Sequence, residues 1–134
     1  IDKPVLGADG FDSPKLAELA GKAALNDVYF SNHYSSLDKD PEVLKFIEAY
    51  KNKNGKEPDA FNALGYDLGY FVADAIKRAN SEDPAKIKDA LAATKDFKGV
   101  TGTFSIDKNH NAIKSAVVIE LKDGEQASAE KVNP

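Results

Sequence analysis

The stretch from Pro58 to Ala79 constrains the fold more than any other part of the sequence. Its apolar residues recur at intervals of three and four, which is the spacing of one long helix; they are Phe61, Leu64, Leu68, Phe71, Val72, Ala75 and Ile76. Its one clearly polar stripe on the helical wheel is narrow and is formed by Asp67, Asp74 and Arg78. Small residues form a ridge that another backbone can approach closely: Gly65, Gly69 and Ala73. We therefore predict a central helix that other layers cover on most of its sides.

Composition excludes several classes of protein. Apolar residues make up 42% of the 134 positions and charged residues 30%, which is ordinary for a globular domain with a core. The net charge of -4 provides no electrostatic footprint for nucleic acid. Cysteine is absent, so disulfides, thiolate metal sites and a cysteine nucleophile are excluded. Methionine is absent as well, and the chain opens on an apparent strand, so we expect a piece of a longer protein.

Local patterns predict an alternation of strands and helices. Three helices start with a capping residue before proline, at Ser13-Pro14, Asp40-Pro41 and Asp83-Pro84. Strands are expected at 4–10, 28–31, 99–107 and 115–122, with little to bury in the tail after residue 126. The order strand, helix, strand, three helices, strand, strand predicts an α/β protein with a parallel sheet flanked by helices.

Catalytic and metal-binding motifs are not found. His33 and His110 lie in polar loops without a carboxylate or cysteine at ligand spacing, and we expect each to be an exposed or capping histidine. Residues 107–111 are rich in oxygen ligands but lack the glycine and the final glutamate of a calcium loop, so they are predicted to form a turn. We predict no catalytic residue, no metal site, no cofactor and no enzymatic activity.

Two residues are candidates for ligand binding. Asp9 follows the first strand between Ala8 and Gly10, where a carboxylate can neutralise the ammonium group of a ligand; the alternative is that it caps the turn into the next helix. Phe61, in the first turn of the central helix, can line a ligand site or belong to the core. The residues alone leave both alternatives open.

From residue 4 to residue 126 the chain resembles the C-terminal part of the type I periplasmic binding proteins. It is most similar to the leucine/isoleucine/valine-binding proteins of branched-chain amino acid ABC importers. The resemblance rests on the order and spacing of several short segments: Val5-Leu6-Gly7-Ala8-Asp9-Gly10, Val28-Tyr29-Phe30-Ser31, Asp40-Pro41, Gly55 to Phe61, Tyr66 and Gly99-x-x-Gly102 followed by Ile106-Asp107.

The resemblance implies a two-lobed protein with an amino acid in the cleft between the lobes. Residues 1–56 would belong to lobe 2, residues 57–113 to lobe 1, and residues 114–134 would return to lobe 2 and end in a tail. The carboxylate that binds the α-ammonium group would be Asp9, where many relatives have glutamate. The aromatic ring that covers the ligand from the other lobe would be Phe61.

The resemblance also implies a function and partners. The expected ligand is a free aliphatic amino acid, namely leucine, isoleucine or valine. The expected partners are the membrane subunits of an ABC importer, in an extracytoplasmic location with a lipid anchor on the full-length protein. By itself the 134-residue chain is expected to bind amino acids weakly or not at all and to self-associate. The alternatives are a ligand-sensing regulatory domain of the same fold and a flavodoxin-like enzyme domain.

Overall fold

The backbone forms two separate sheets and four α-helices within residues 3–134, the part of the chain that a computed structural model describes. In chain order the elements are β1 (Val5–Gly7), α1 (Pro14–Ala20), β2 (Val28–Asn32), α2 (Pro41–Asn54), α3 (Ala60–Ala79), α4 (Pro84–Ala92), β3 (Phe97–Gly99), β4 (Gly102–Ile106), β5 (Ala112–Lys114), β6 (Ala116–Lys122) and β7 (Glu125–Val132). Short 3-10 turns at Asp9–Phe11 and Lys22–Ala24 flank α1.

The first sheet contains four strands in the order β1-β2-β6-β7, and the second contains three in the order β3-β4-β5. The prediction of an α/β fold is confirmed. The expected parallel arrangement is found between β1 and β2, whereas the other pairs of described strands are antiparallel. Strands β3, β5 and β7 were not predicted, because β3 and β5 have only three residues each and β7 is mostly exposed. Pairing along β6, and not burial, holds β7 in place.

Two clusters of buried residues form the core. The first joins strands β2 and β6 and the segment before β2, through Leu25, Val28, Phe30, Ile119 and Leu121. The second joins the loop after β2 to α2 and to the N-terminal half of α3, through Tyr34, Val43, Phe46, Ala60 and Ala63. The second cluster therefore attaches the beginning of α3 to the end of the first sheet.

The predicted helix starts are confirmed by the hydrogen bonds of their caps. Ser13, Asp40 and Asp83 each accept a bond from a backbone N–H in the first turn, and proline occupies the next position. Helix α3 begins at Ala60, two residues after the predicted Pro58. Its start is fixed by a capping box in which Asp59 and the residue at the third helical position, Asn62, bond each other's backbone N–H.

The prediction that α3 is covered on most of its sides is wrong for the described residues. One face of the helix carries four apolar side chains that remain partly exposed: Phe61 (54%), Leu68 (59%), Val72 (36%) and Ile76 (40%). Gly65 and Gly69 lie on the same face, where an added Cβ would meet nothing within 4 Å in the described part of the chain. The face that the fold covers is instead the one that carries the polar stripe, with Asp67 only 5% exposed.

Asp67 explains this orientation. Its carboxylate accepts hydrogen bonds from the backbone N–H groups of Val100 (2.8 Å) and Thr101 (2.9 Å) and from the Thr101 hydroxyl (2.6 Å). The turn between β3 and β4 thus supplies the donors that a buried carboxylate needs. A Cβ at Gly99 would lie 2.3 Å from the Asp67 carboxylate, so only glycine fits beside it. This contact fixes the second sheet against α3.

We predict that Asp67→Asn lowers the free energy of unfolding by about 2–3 kcal/mol. The amide would present an N–H group to at least one of the three donors in the β3–β4 turn. Urea denaturation measures the loss. Asp89→Asn is the control, because the Asp89 side chain is 72% exposed and its charged contact is with Lys88. The control should change the stability by less than about 0.5 kcal/mol. Equal stability of Asp67→Asn and the control would contradict the role of Asp67.

Candidate ligand-binding site at the junction of the two sheets

Asp9 lies at the carboxyl end of β1, in the 3-10 turn that begins at this residue. Its side chain is 47% exposed, and one carboxylate oxygen (Oδ2) lies 3.8 Å from Nε2 of His33. His33 directly follows β2. Because β1 and β2 are parallel and adjacent, their carboxyl ends meet at the same edge of the sheet. That shared edge brings together two residues that are far apart in the sequence.

Phe61 is the second residue of α3 and lies on the exposed face of that helix. Its side chain is 54% exposed, and no close pair of aromatic rings among residues 3–134 includes it. The alternative that Phe61 belongs to the core is therefore not favoured within the described chain. The ring is available to another surface or to a ligand.

A hydrogen bond from Ala60 to Asp12 connects the segments that carry Asp9 and Phe61. The backbone N–H of Ala60, which precedes Phe61, donates to Oδ2 of Asp12 at 2.7 Å across 48 residues of sequence. Asp12 itself lies three residues after Asp9. Asp12 is not the cap of α1, because Ser13 accepts the capping hydrogen bond. The bond from Ala60 therefore holds the start of α3 next to the segment that follows Asp9.

A pocket of about 310 Å³ with a mixed polar and apolar lining lies beside this edge. It is bounded by the loop after β2, the β3–β4 turn, the passage from β5 to β6 and strand β7; among its lining residues are His33, Tyr34, Thr101, Ser115 and Lys131. We call it the junction pocket, because its walls come from both sheets. The chain passes from the second sheet to the first at Ser115, directly beside the pocket.

Three consecutive residues near the junction pocket have buried polar atoms that find no hydrogen-bond partner within residues 3–134. They are Nδ2 of Asn32, Nδ1 of His33 and the hydroxyl of Tyr34. Burial raises the pKa of Tyr34 above its usual value, and the carboxylates of Glu57 and Asp12 raise it further. His33 was predicted to be an exposed or capping histidine. Its side chain is 37% exposed, with Nδ1 buried and Nε2 facing Asp9.

Lys114 connects the junction pocket to α3. Its Nζ donates to the Thr101 hydroxyl oxygen at 2.8 Å, and this hydroxyl in turn donates to Asp67. Burial lowers the pKa of Lys114, whereas the Asp67 carboxylate raises it and Lys131 lowers it. Burial also lowers the pKa of His33; the positive charge of Lys114 lowers it further, and Asp9 raises it. His33 therefore experiences the charges of both Asp9 and Lys114.

Two negative findings apply to the described chain. Within residues 3–134, no three histidine, aspartate or glutamate side chains are grouped closely enough to hold a metal ion. None of the helices that the structure describes is both long and apolar enough to span a membrane.

Residues 2–126 match the family described as periplasmic binding protein. The chain belongs to this family. Two similar curated relatives are the Leu/Ile/Val-binding protein homolog 1 of Brucella abortus and the leucine-, isoleucine-, valine-, threonine- and alanine-binding protein of Pseudomonas aeruginosa. The first is 31% identical over 77% of this chain, and the second is 26% identical over 81%. The chain spans about a quarter of these relatives, 27% of the first and 28% of the second.

Solved structures of the family share the fold of the whole chain. The branched-chain amino acid transporter substrate binding protein LivJ of Streptococcus pneumoniae, in complex with isoleucine, superposes with a TM-score of 0.90 at 38% identity. The leucine binding protein LivK of Thermotoga maritima gives a TM-score of 0.88 at 42% identity. Each covers 100% of this chain, which spans 38% of each. The resemblance to the leucine/isoleucine/valine-binding proteins is confirmed.

Proposed function

We propose that this chain is part of the extracytoplasmic solute-binding component of an ABC importer for branched-chain amino acids. The observation that carries the proposal is the likeness over the full chain to LivJ of Streptococcus pneumoniae, whose structure holds isoleucine. The ligand would be leucine, isoleucine or valine. The family match supports reversible binding in preference to the chemistry of a flavodoxin-like enzyme.

The two sheets support a division of the chain between two lobes. In this proposal residues 1–56 and 114–134 belong to lobe 2 and residues 57–113 to lobe 1. Strands β1, β2, β6 and β7 form the first sheet, and β3 to β5 form the second. The passages between them are the segments before α3 and around Ser115. Closure of two lobes about such passages is a hinge motion of a known kind.

Asp9 would bind the α-ammonium group of the amino acid. It stands at the carboxyl end of a strand, which is where ligands bind in α/β proteins. Its charge is not compensated by a lysine or arginine among the ion pairs of residues 3–134. When closure removes water, an ammonium–carboxylate pair becomes stronger than it is at an open surface.

Phe61 would cover the aliphatic side chain of the ligand from the other lobe. Its ring is half exposed in the first turn of α3, close along the chain to the Asp12–Ala60 bond. Apolar area that leaves water on closure contributes about 25 cal/mol per Å². An apolar wall of this kind favours leucine, isoleucine and valine over smaller amino acids.

The proposed partners are the membrane subunits of the importer, and the proposed location is outside the cytoplasm with a lipid anchor. The 134-residue chain by itself would also associate with further copies. The apolar face of α3, which contains Phe61, Leu68, Val72 and Ile76, supports this proposal because an exposed apolar patch favours association.

Asp9→Ala is expected to weaken the binding of leucine, isoleucine and valine by about 2–4 kcal/mol, which is roughly 30-fold or more. The ammonium group of the ligand would then be buried without its counter-charge. Calorimetric titration of the product of the complete reading frame measures the loss. Asp89→Ala, on the exposed side of α4, is the matched control and should leave affinity unchanged. An Asp9→Ala variant with the affinity of the control would refute this role of Asp9.

Phe61→Ala is expected to weaken leucine by about 1–2 kcal/mol and alanine by clearly less, because the lost burial scales with the apolar area of the ligand. Titration with alanine, valine and leucine gives the series. Leu68→Ala is the control, since Leu68 lies on the same face of α3 and is similarly exposed, at 59%. A uniform loss for all ligands, matched by Leu68→Ala, would point to an effect through stability and not through the site.

A further inference from the structure

His33 is the side chain that contacts Asp9, and the contact is not an ordinary ion pair. Nε2 of His33 lies 3.8 Å from Oδ2 of Asp9, which is longer than a hydrogen bond. The imidazole is 37% exposed and the Asp9 side chain 47% exposed, so the carboxylate has room to rotate towards the ring. His33 also lines the junction pocket, which places it between Asp9 and the passage to the second sheet.

The surroundings of the ring assign its tautomer. Nδ1 is buried and has no hydrogen-bond partner among residues 3–134, whereas Nε2 faces a carboxylate. Buried Nδ1 has no partner among these residues whether or not it carries the proton, so the contact of Nε2 decides between the tautomers. A proton on Nε2 can be donated to Asp9. The favoured form is therefore the neutral imidazole that carries its proton on Nε2.

We propose that neutral His33 is a positioning residue for Asp9: its Nε2–H donates to one carboxylate oxygen and leaves the other oxygen, and the whole negative charge, to the ammonium group of the ligand. This inference rests on the proposed function. Binding of the ammonium group at one oxygen turns the carboxylate so that the 3.8 Å separation shortens to a hydrogen bond. A lysine in place of His33 would fix the carboxylate equally well but would neutralise it.

The charges around His33 determine how the affinity for the ligand should change with pH. Asp9 faces it from the turn after β1, and Lys114 acts on it from the end of β5. Asp38, in the loop after β2, and Lys131, on β7, line the same pocket. Protonation of His33 would set a second cation against Asp9, in competition with the ammonium group of the ligand. Affinity should therefore fall as the pH falls through the pKa of His33.

The pH range in which affinity should fall depends on the pKa of His33. Burial and the charge of Lys114 lower the pKa of His33 below 6.5, and Asp9 only partly opposes them. His33 is thus neutral at pH 7.5 and gains its proton in the acid range. Because binding and protonation are linked, the ammonium group of the ligand must lower this pKa further. Ligand binding at acid pH should release a proton from His33.

The test is calorimetric titration of leucine at pH 7.5 and pH 5.0, with the product of the complete reading frame. Wild type should bind leucine more weakly at pH 5.0 than at pH 7.5, since two like charges near one carboxylate repel each other in a partly buried site. His33→Gln keeps a neutral donor at both pH values. It should stay within about threefold of wild type at pH 7.5 and lose little at pH 5.0. His33→Leu, which has no donor, should be weaker than His33→Gln at pH 7.5.

His110→Asn is the control, because it removes the second histidine at a turn position where φ is +66° and asparagine is tolerated. It should keep the wild-type pH profile. If wild type binds leucine but His33→Gln shows the same acid loss, the inference on His33 is overturned and the proposed function stands. If wild type binds none of leucine, isoleucine and valine at pH 7.5, the proposed function fails and the inference fails with it.

NMR of the protein without bound ligand distinguishes a positioning role of His33 from a merely structural one. The ¹⁵N chemical shifts of the His33 ring should report a proton on Nε2 at pH 7.5. Asp9→Asn should lower the pKa of His33, because the Asp9 carboxylate raises it. A proton on Nδ1, or a pKa that ignores Asp9→Asn, would overturn the assignment.

Discussion

The buried carboxylate of Asp67 is the interaction on which the arrangement of the two sheets depends. A charge this far from water is tolerated only where donors surround it, and the β3–β4 turn supplies them from Val100 and Thr101. Lys114 extends the network to the end of β5, where the chain returns to the first sheet. With Asp67 turned to the second sheet, the apolar face of α3 must point away from it, and the first turn of α3 lies at the junction.

Sequence patterns predicted the α/β class, the helix caps and the resemblance to the leucine/isoleucine/valine-binding proteins, because these depend on local chemistry and on the order of segments. The prediction that other layers cover α3 on most of its sides is wrong for the described residues. Helical spacing separates a polar stripe from an apolar face, but it does not say which of them the fold covers. Asp67 is buried against hydrogen-bond donors that lie 33 and 34 residues further along the chain. Because these donors are distant in the sequence, no local pattern predicts the burial.

The residues of the candidate site likewise include some that the sequence could predict and some that it could not. Asp9 could be predicted as a candidate because a carboxylate at the end of a strand has a recognisable local setting, and its proposed role came from the resemblance. Asp12 and His33 had no such signal. Asp12 reaches Ala60 across 48 residues, and His33 meets Asp9 only because β1 and β2 are neighbouring parallel strands. We propose that Asp9 keeps an uncompensated negative charge at the junction, and that His33 orients it without neutralising it.

A crystal structure of the product of the complete reading frame with leucine tests that account most directly. The account predicts an Asp9 carboxylate oxygen at about 2.7–2.9 Å from the ligand nitrogen. It also predicts the Phe61 ring against the leucine side chain and His33 Nε2 within hydrogen-bond distance of the other Asp9 oxygen. A leucine whose ammonium group is held by other residues, with Asp9 turned to solvent, would contradict it.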